Sequence, residues 1–72
     1  MQYYSIHRVF KLIKGGPGRL RKLLIKHEQP APSTNTISKW KRRNAIPSLW
    51  VGAVMWACAR EGIDPLICLE DI

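Results

Sequence analysis

Glycine and proline divide this chain into short lengths, and that division limits the fold more than any other feature. Gly15-Gly16-Pro17, Pro30-Ala31-Pro32, Ala45-Ile46-Pro47 and the pair Gly62 and Pro65 interrupt it in turn. Proline lacks the amide hydrogen a helix interior needs and clashes with the preceding turn. Glycine accepts the left-handed backbone that ends a helix. At 72 residues there is room for one domain only. A chain of that size buries only about 60% of its unfolded surface. The expected product is a small bundle of short elements in which each large apolar residue matters.

Between the breaks the apolar residues recur with helical period. Over Tyr4 to Lys14, Ile6, Val9, Phe10 and Ile13 fall at i, i+3, i+4, i+7, with Ser5 near the start and Arg8, Lys11 and Lys14 on the wet side. Gly15-Gly16 is expected to end this helix in the left-handed conformation, and Pro17 to open the next at a position needing no amide hydrogen. Leu20, Leu23 and Leu24 supply its buried stripe, with Arg19, Arg21, Lys22 and Lys26 outside. His27 to Pro32 then reads as a loop, and Ser33 as the N-cap of a helix over Thr34 to Asn44.

Pro47 to Glu61 is the last long helix, closed by Gly62. Val51, Val54, Met55 and Cys58 form its core stripe, while Leu49, Ala53 and Trp56 form a second apolar face that a solvated helix would not carry. Either the first helix and the tail (Ile63, Leu66, Ile67, Leu69, Ile72) cover that face, or it is a dimer interface. Asp64 caps a short final helix from Pro65. Strand patterns are absent. The expectation is an all-α, compact bundle of about five helices.

The net charge is +7. Residues 1 to 46 carry eleven Lys/Arg against Glu28 alone, giving +10, and residues 47 to 72 carry Arg60 against Glu61, Asp64, Glu70 and Asp71, giving −3. A polyanion is drawn to the first part, and nucleic acid is the commonest such partner. The basic residues are not confined to one strongly amphipathic helix, as a membrane-surface helix would require. No apolar run approaches the roughly 20 residues of a membrane span. Met1-Gln2-Tyr3-Tyr4 lacks a signal peptide's basic start and apolar middle, so a cytoplasmic location is expected.

Catalysis and cofactor binding find no foothold. Cys58 and Cys68 have no metal-ligand spacing and read as buried reduced thiols, and His7 and His27 stand alone as surface imidazoles. Gly15-Gly16-Pro17-Gly18 lacks the Lys-Ser/Thr ending of a phosphate-binding loop. With five carboxylates, four of them in the last third, and no nucleophile-base pair, no enzyme, cofactor, metal or small-molecule substrate is expected.

The helix over Thr34 to Asn44 carries a different chemistry. Ile37, Trp40 and Asn44 share one side, and Asn35, Ser38, Lys39 and Arg42 share the other. Asn bonds adenine bidentately, Lys and Arg suit guanine or phosphate, and Ser suits either, which is the chemistry of a helix in a DNA major groove. Lys41 and Arg43 flank that face where phosphates would lie.

The amphipathic first helix, the Gly-Gly turn, the Leu-rich helix, Ile37-Ser38-Lys39-Trp40 and Ile46-Pro47 before another helix resemble, in that order, the lambda-repressor-like helix-turn-helix superfamily. The likeness is to small phage and prophage Cro-like and CII-like regulators and spans roughly residues 6 to 66. The resemblance implies Thr34, Asn35, Ser38 and Lys39 at the bases and Arg42 and Arg43 near the backbone, with Ile37 and Trp40 in the core. This chain departs from the family in the turn, which is lengthened over Ile25 to Pro32 and, on this reading, would give Lys26 and His27 a separate phosphate contact.

The combined expectation is a repressor of phage or mobile-element type that binds duplex operator DNA as a homodimer. Arg19, Lys22, Lys26, Lys41, Arg42 and Arg43 would hold the backbone, and Leu49, Trp56 or the tail the dimer. Two rival classes share some features. An RNA-binding accessory protein shares the charge but needs stacking platforms, whereas these Trp residues fall at helix-core spacing. A basic adaptor or antitoxin-like protein would act through the apolar face of Leu49 and Trp56.

Overall fold

The computed structural model describes residues 2 to 71. In chain order the elements are strand β1 (Gln2–Tyr4), helices α1 (Ile6–Ile13), α2 (Pro17–Lys26), α3 (Thr34–Arg43) and α4 (Ser48–Arg60), a 3-10 turn (Pro65–Cys68) and strand β2 (Leu69–Asp71). Met1 and Ile72 lie outside the described residues, so the last residue of the expected covering tail is not placed. Among the described residues no helix is long and apolar enough to cross a membrane.

Two expectations are corrected. Among the described residues there are four α-helices rather than five, because Pro65–Cys68 closes with i to i+3 geometry, the Ile67 amide donating to the Asp64 carbonyl at 3.1 Å. Asp64 does cap it, accepting from the Leu66 amide at 3.0 Å. The chain also contains strands: β1 and β2 pair antiparallel with Tyr3 opposite Glu70, and the Tyr3 hydroxyl donates to the Glu70 carboxylate at 2.5 Å. Three-residue strands are too short to show an alternating pattern, so nothing in the sequence announced them. Arg8 holds the same corner, its Nε donating to Glu70 at 3.0 Å and Nη1 to the Leu69 carbonyl at 2.8 Å.

The core is built from the stripes the periodicity marks. Ile6, Val9 and Ile13 of α1, Leu20, Leu23 and Leu24 of α2, Ile37 and Trp40 of α3 and Val54, Met55, Ala57 and Cys58 of α4 are all buried, closed off by Ile46 and Cys68. Phe10 and Val51 pack against this cluster from its edge. Each fully buried aliphatic side chain stabilises the fold by about 1.5–3 kcal/mol. The tail reaches only one side of α4: Cys68 is buried and Ile63 half-buried, but Leu66 and Ile67 are exposed, and so are Leu49 and Trp56.

All four helices end in the same way. In each, the amide two residues past the last turn bonds back across six residues: Gly15 to Phe10, Gln29 to Leu24, Ala45 to Trp40 and Ile63 to Cys58. The residue before that amide is left-handed in every case: Lys14 at φ 57°, Glu28 at 59°, Asn44 at 49° and Gly62 at 81°. Gly62, and less commonly an Asn such as Asn44, is the residue type expected at this position; Lys14 and Glu28 are not. The first helix is therefore ended by Lys14, not by Gly15. Gly15 is needed for another reason, since a Cβ there would stand 2.5 Å from Cβ of Arg19.

A left-handed non-glycine residue carries roughly 1–2 kcal/mol of strain, partly offset because glycine loses more chain entropy on folding. Glu28→Gly should therefore raise stability by about 0.5–1 kcal/mol, and Gly62→Ala should lower it by about 1 kcal/mol or more. Urea unfolding followed by circular dichroism checks both signs.

Candidate nucleic-acid interface

α3 is fixed at both ends and along one side. At its start the Ser33 hydroxyl accepts from the Thr36 amide at 3.3 Å. Along its inner side Ile37 is fully buried and Trp40 nearly so, and the Trp40 ring lies 5.9 Å from that of Trp50 at a 45° tilt. What remains outside is the polar side. Thr34, Asn35, Lys39, Lys41, Arg42 and Arg43 are exposed and Ser38 is half-buried. Among the described residues, the side chains of Asn35, Ser38, Lys39, Lys41, Arg42 and Arg43 enter no hydrogen bond or ion pair within the protein. No acidic residue occurs between Glu28 and Glu61 to neutralise them.

The basic residues of α2 divide into two groups. Arg19, Arg21 and Lys22 are exposed and, among the described residues, unpaired. Lys26 donates through Nζ to Glu61 at 3.0 Å, and His27 donates through Nε2 to the same carboxylate oxygen at 2.6 Å. His27 is thus not isolated, as the sequence suggested, but joins the end of α2 to the end of α4. The lengthened turn is ordered by the left-handed Glu28 and by Pro32, which is buried.

The end of α3 is held by a network that the sequence did not reveal. Asn44 Oδ1 accepts from the Ser5 hydroxyl at 2.8 Å and from the His7 amide at 3.1 Å, while Asn44 Nδ2 donates to the Tyr3 hydroxyl at 3.3 Å. His7 Nε2 donates to the Lys41 carbonyl at 2.9 Å, inside the last turn of α3. Ser5 is fully buried, and its hydroxyl also accepts from the Arg8 amide as the N-cap of α1. The starts of β1 and α1 thus hold the α3 C-terminus. The available signal was Asn44 itself, since Asn tolerates the left-handed conformation best among non-glycine residues.

The three Trp residues have three different environments. Trp40 is core and Trp50 is half-buried, but Trp56 is 52% exposed, with the Arg60 guanidinium 5.9 Å from its ring centroid. Leu49 on the same side of α4 is 86% exposed. Both cysteines are free and buried. Burial, with Cys68 nearby, pushes the Cys58 thiol up to about 12, and burial also raises that of Cys68. Neither forms thiolate at neutral pH, which leaves them unreactive. No family model matches the chain, and no curated protein or solved structure matches it either.

Asn44 performs two separable tasks. Asn44→Ala loses both the left-handed tolerance and the acceptor for the buried Ser5 hydroxyl, at about 2–3 kcal/mol. Asn44→Gly should recover about 1 kcal/mol of this, because only the backbone part is restored. Equilibrium unfolding of the two variants compares them directly.

Two carboxylates link stability to pH. Hydrogen bonds from Lys26 and His27 hold the Glu61 carboxyl below its ordinary value. The hydrogen bond from Tyr3, aided by Arg8, does the same for Glu70. A depressed folded value means the contribution is complete above the unfolded value of about 4.3 and is lost as pH falls through the folded one. The thermal midpoint should therefore decline below about pH 4.5. In the double variant Glu61→Gln/Glu70→Gln the decline over the same window should be shallower.

Proposed function

We propose that this chain is a sequence-specific double-stranded DNA-binding transcriptional regulator. In this reading α2 and α3 form a helix-turn-helix with a lengthened turn, as in the lambda-repressor-like superfamily it resembles. The observation that carries the reading is α3: it is held by Ile37, Trp40, Ser33 and Asn44, and its outward side chains are left without partners inside the protein. A polar, cationic helix side kept rigid and unpaired has its hydrogen-bonding capacity free for another molecule. At ten residues α3 is about 15 Å long, comparable with the roughly 12 Å width of a major groove.

The mechanism is occupancy of an operator. Thr34, Asn35, Ser38 and Lys39 read base edges. Lys41, Arg42 and Arg43, with Arg19 and Lys22 on α2, hold phosphates. Lys26 contributes less, because Glu61 already engages its ammonium. One such module reads few base pairs, so a homodimer on a two-fold site with half-sites about 34 Å apart supplies the specificity. Bound protein then obstructs polymerase, as a repressor of phage or mobile-element type does.

Selection from random duplex DNA at about 0.15 M salt, where nonspecific phosphate binding is already weakened, tests the reading. An enriched inverted repeat is expected, and tight salt-sensitive binding without enrichment would refute base reading. On the selected site Asn35→Ala should cost about 1–3 kcal/mol and little on random DNA, while Arg43→Ala should weaken both and reduce the salt slope by about one. Fluorescence anisotropy titrations at several salt concentrations measure each.

A further inference from the structure

The outer side of α4 presents an apolar stripe to solvent. Leu49 and Trp56 are both exposed, and two turns apart they share one side of the helix at a spacing of about 10 Å. Gly52 lies between them, exposed and without a positive φ, and a Cβ built on it would meet nothing within 4 Å. Glycine inside a helix is unfavourable relative to alanine and is used where another group approaches closely. Among the described residues no such group exists, so the room over Gly52 is open to another molecule.

The stripe ends at a cationic corner. Arg60 is the only cation of residues 47 to 72. Glu61 follows it directly and Asp64 lies one turn on, yet among the described residues Arg60 pairs with neither. Glu61 accepts from Lys26 and His27, and Asp64 caps the 3-10 turn. The Arg60 guanidinium lies over the Trp56 ring instead, which orders the group and leaves its charge unneutralised. Beside the pair is an open hollow of about 510 Å³, lined by Lys26, His27, Glu28, Gln29, Trp56 and Arg60. The Lys26 side chain is 62% exposed even while it reaches Glu61, so its ammonium keeps donors for a second acceptor.

We propose that this side of α4 docks an acidic amphipathic helix of another protein, its apolar side on Leu49 and Trp56 and its carboxylates at Arg60 and Lys26. Charge selects the occupant. A second copy of the chain carries +7, and its α4 has no acidic residue to set against Arg60. A nucleic-acid strand carries a phosphate at every step, so it would meet the exposed, unpaired Glu28 on the far lip of the hollow and leave Leu49 uncovered. A peptide places its carboxylates only where the cations are, and its apolar side covers the stripe.

Trp and Arg are the residue types that most often dominate binding at an interface. Here the two are stacked before any partner arrives, which lowers the cost of ordering them. The 13 residues of α4 span about 20 Å, room for a partner helix of about three to four turns. That is less than the 800 Å² or so per partner of a durable complex, so the contact is a transient one. The proposal does not depend on the DNA reading, with which it shares only Lys26.

Selection from a library of random peptides of about 14 residues, four helical turns, with counter-selection on the Arg60→Gln chain, tests the proposal. Enriched peptides should carry apolar residues at i, i+3 or i+4, and i+7, flanked by Asp or Glu. In anisotropy titrations of the best synthetic peptide, Arg60→Gln and Trp56→Ala should each weaken binding about tenfold or more at unchanged helix content. Lys11→Gln, which removes the same charge from α1, should weaken it about twofold or less. No enrichment over the Arg60→Gln chain, or acidic peptides without apolar spacing that bind all three variants alike, would overturn the proposal. So would a thymidine oligonucleotide of about 12 nucleotides, or self-association of the chain, that is tighter than any selected peptide and is lost in Trp56→Ala. Arg60→Gln and Trp56→Ala should leave operator affinity unchanged. Peptide docking without any DNA preference would keep this site and remove the DNA reading, and an enriched operator without an enriched peptide would do the reverse.

Discussion

The position of α3 depends on Asn44. Its backbone takes the left-handed turn that ends the helix, and its amide gathers Ser5, His7 and Tyr3 onto that end. The Ser5 hydroxyl is fully buried, so its bond to Asn44 cannot be exchanged for water without a desolvation cost. Ser5 is also the N-cap of α1, and its amide donates to the Cys68 carbonyl at 2.8 Å. One small polar cluster thus joins the first strand, the first helix, the end of α3 and the final 3-10 turn. Residues far apart in sequence hold a ten-residue helix that isolated would be marginal in water.

Charge is allocated in a way that suits an exposed, cationic α3. Two of the acidic residues hold the structure together: Glu61 joins α2 to α4 through Lys26 and His27, and Glu70 joins β2 to α1 through Arg8. The pairs are partly exposed and individually weak, but they keep those carboxylates engaged with other elements. The cations of α3 meet no acid in their own stretch of chain. The helix side best suited to an anionic partner is therefore also the side that the fold leaves without internal partners.

Much of the helical content could be read from the sequence because burial period and chain breaks are local. Ile6, Val9 and Ile13, or Leu20, Leu23 and Leu24, mark their own inner faces, and Ser33, Pro17 and Gly62 mark ends through short-range chemistry. The harder features are those in which a residue acts against its type. Lys14 and Glu28 take the left-handed position that glycine usually fills, because the helices must turn there for their apolar sides to meet. The two strands are hidden because three residues carry no period, and Tyr3 meets Glu70 only because the packed helices bring the two ends of the chain together.

By itself the sequence determined the helices, their inner faces, the segregation of positive from negative charge and the polar side of Thr34 to Asn44, since each depends on residues within a few turns of one another. The tertiary structure alone decided that Asn44 receives Ser5, His7 and Tyr3, that His27 and Lys26 share Glu61, and that Leu49, Gly52 and Trp56 stay uncovered. Those outcomes depend on which helix ends meet in space. Contacts between residues up to 67 positions apart, such as Tyr3 with Glu70, follow from packing the whole core and are written in no single segment.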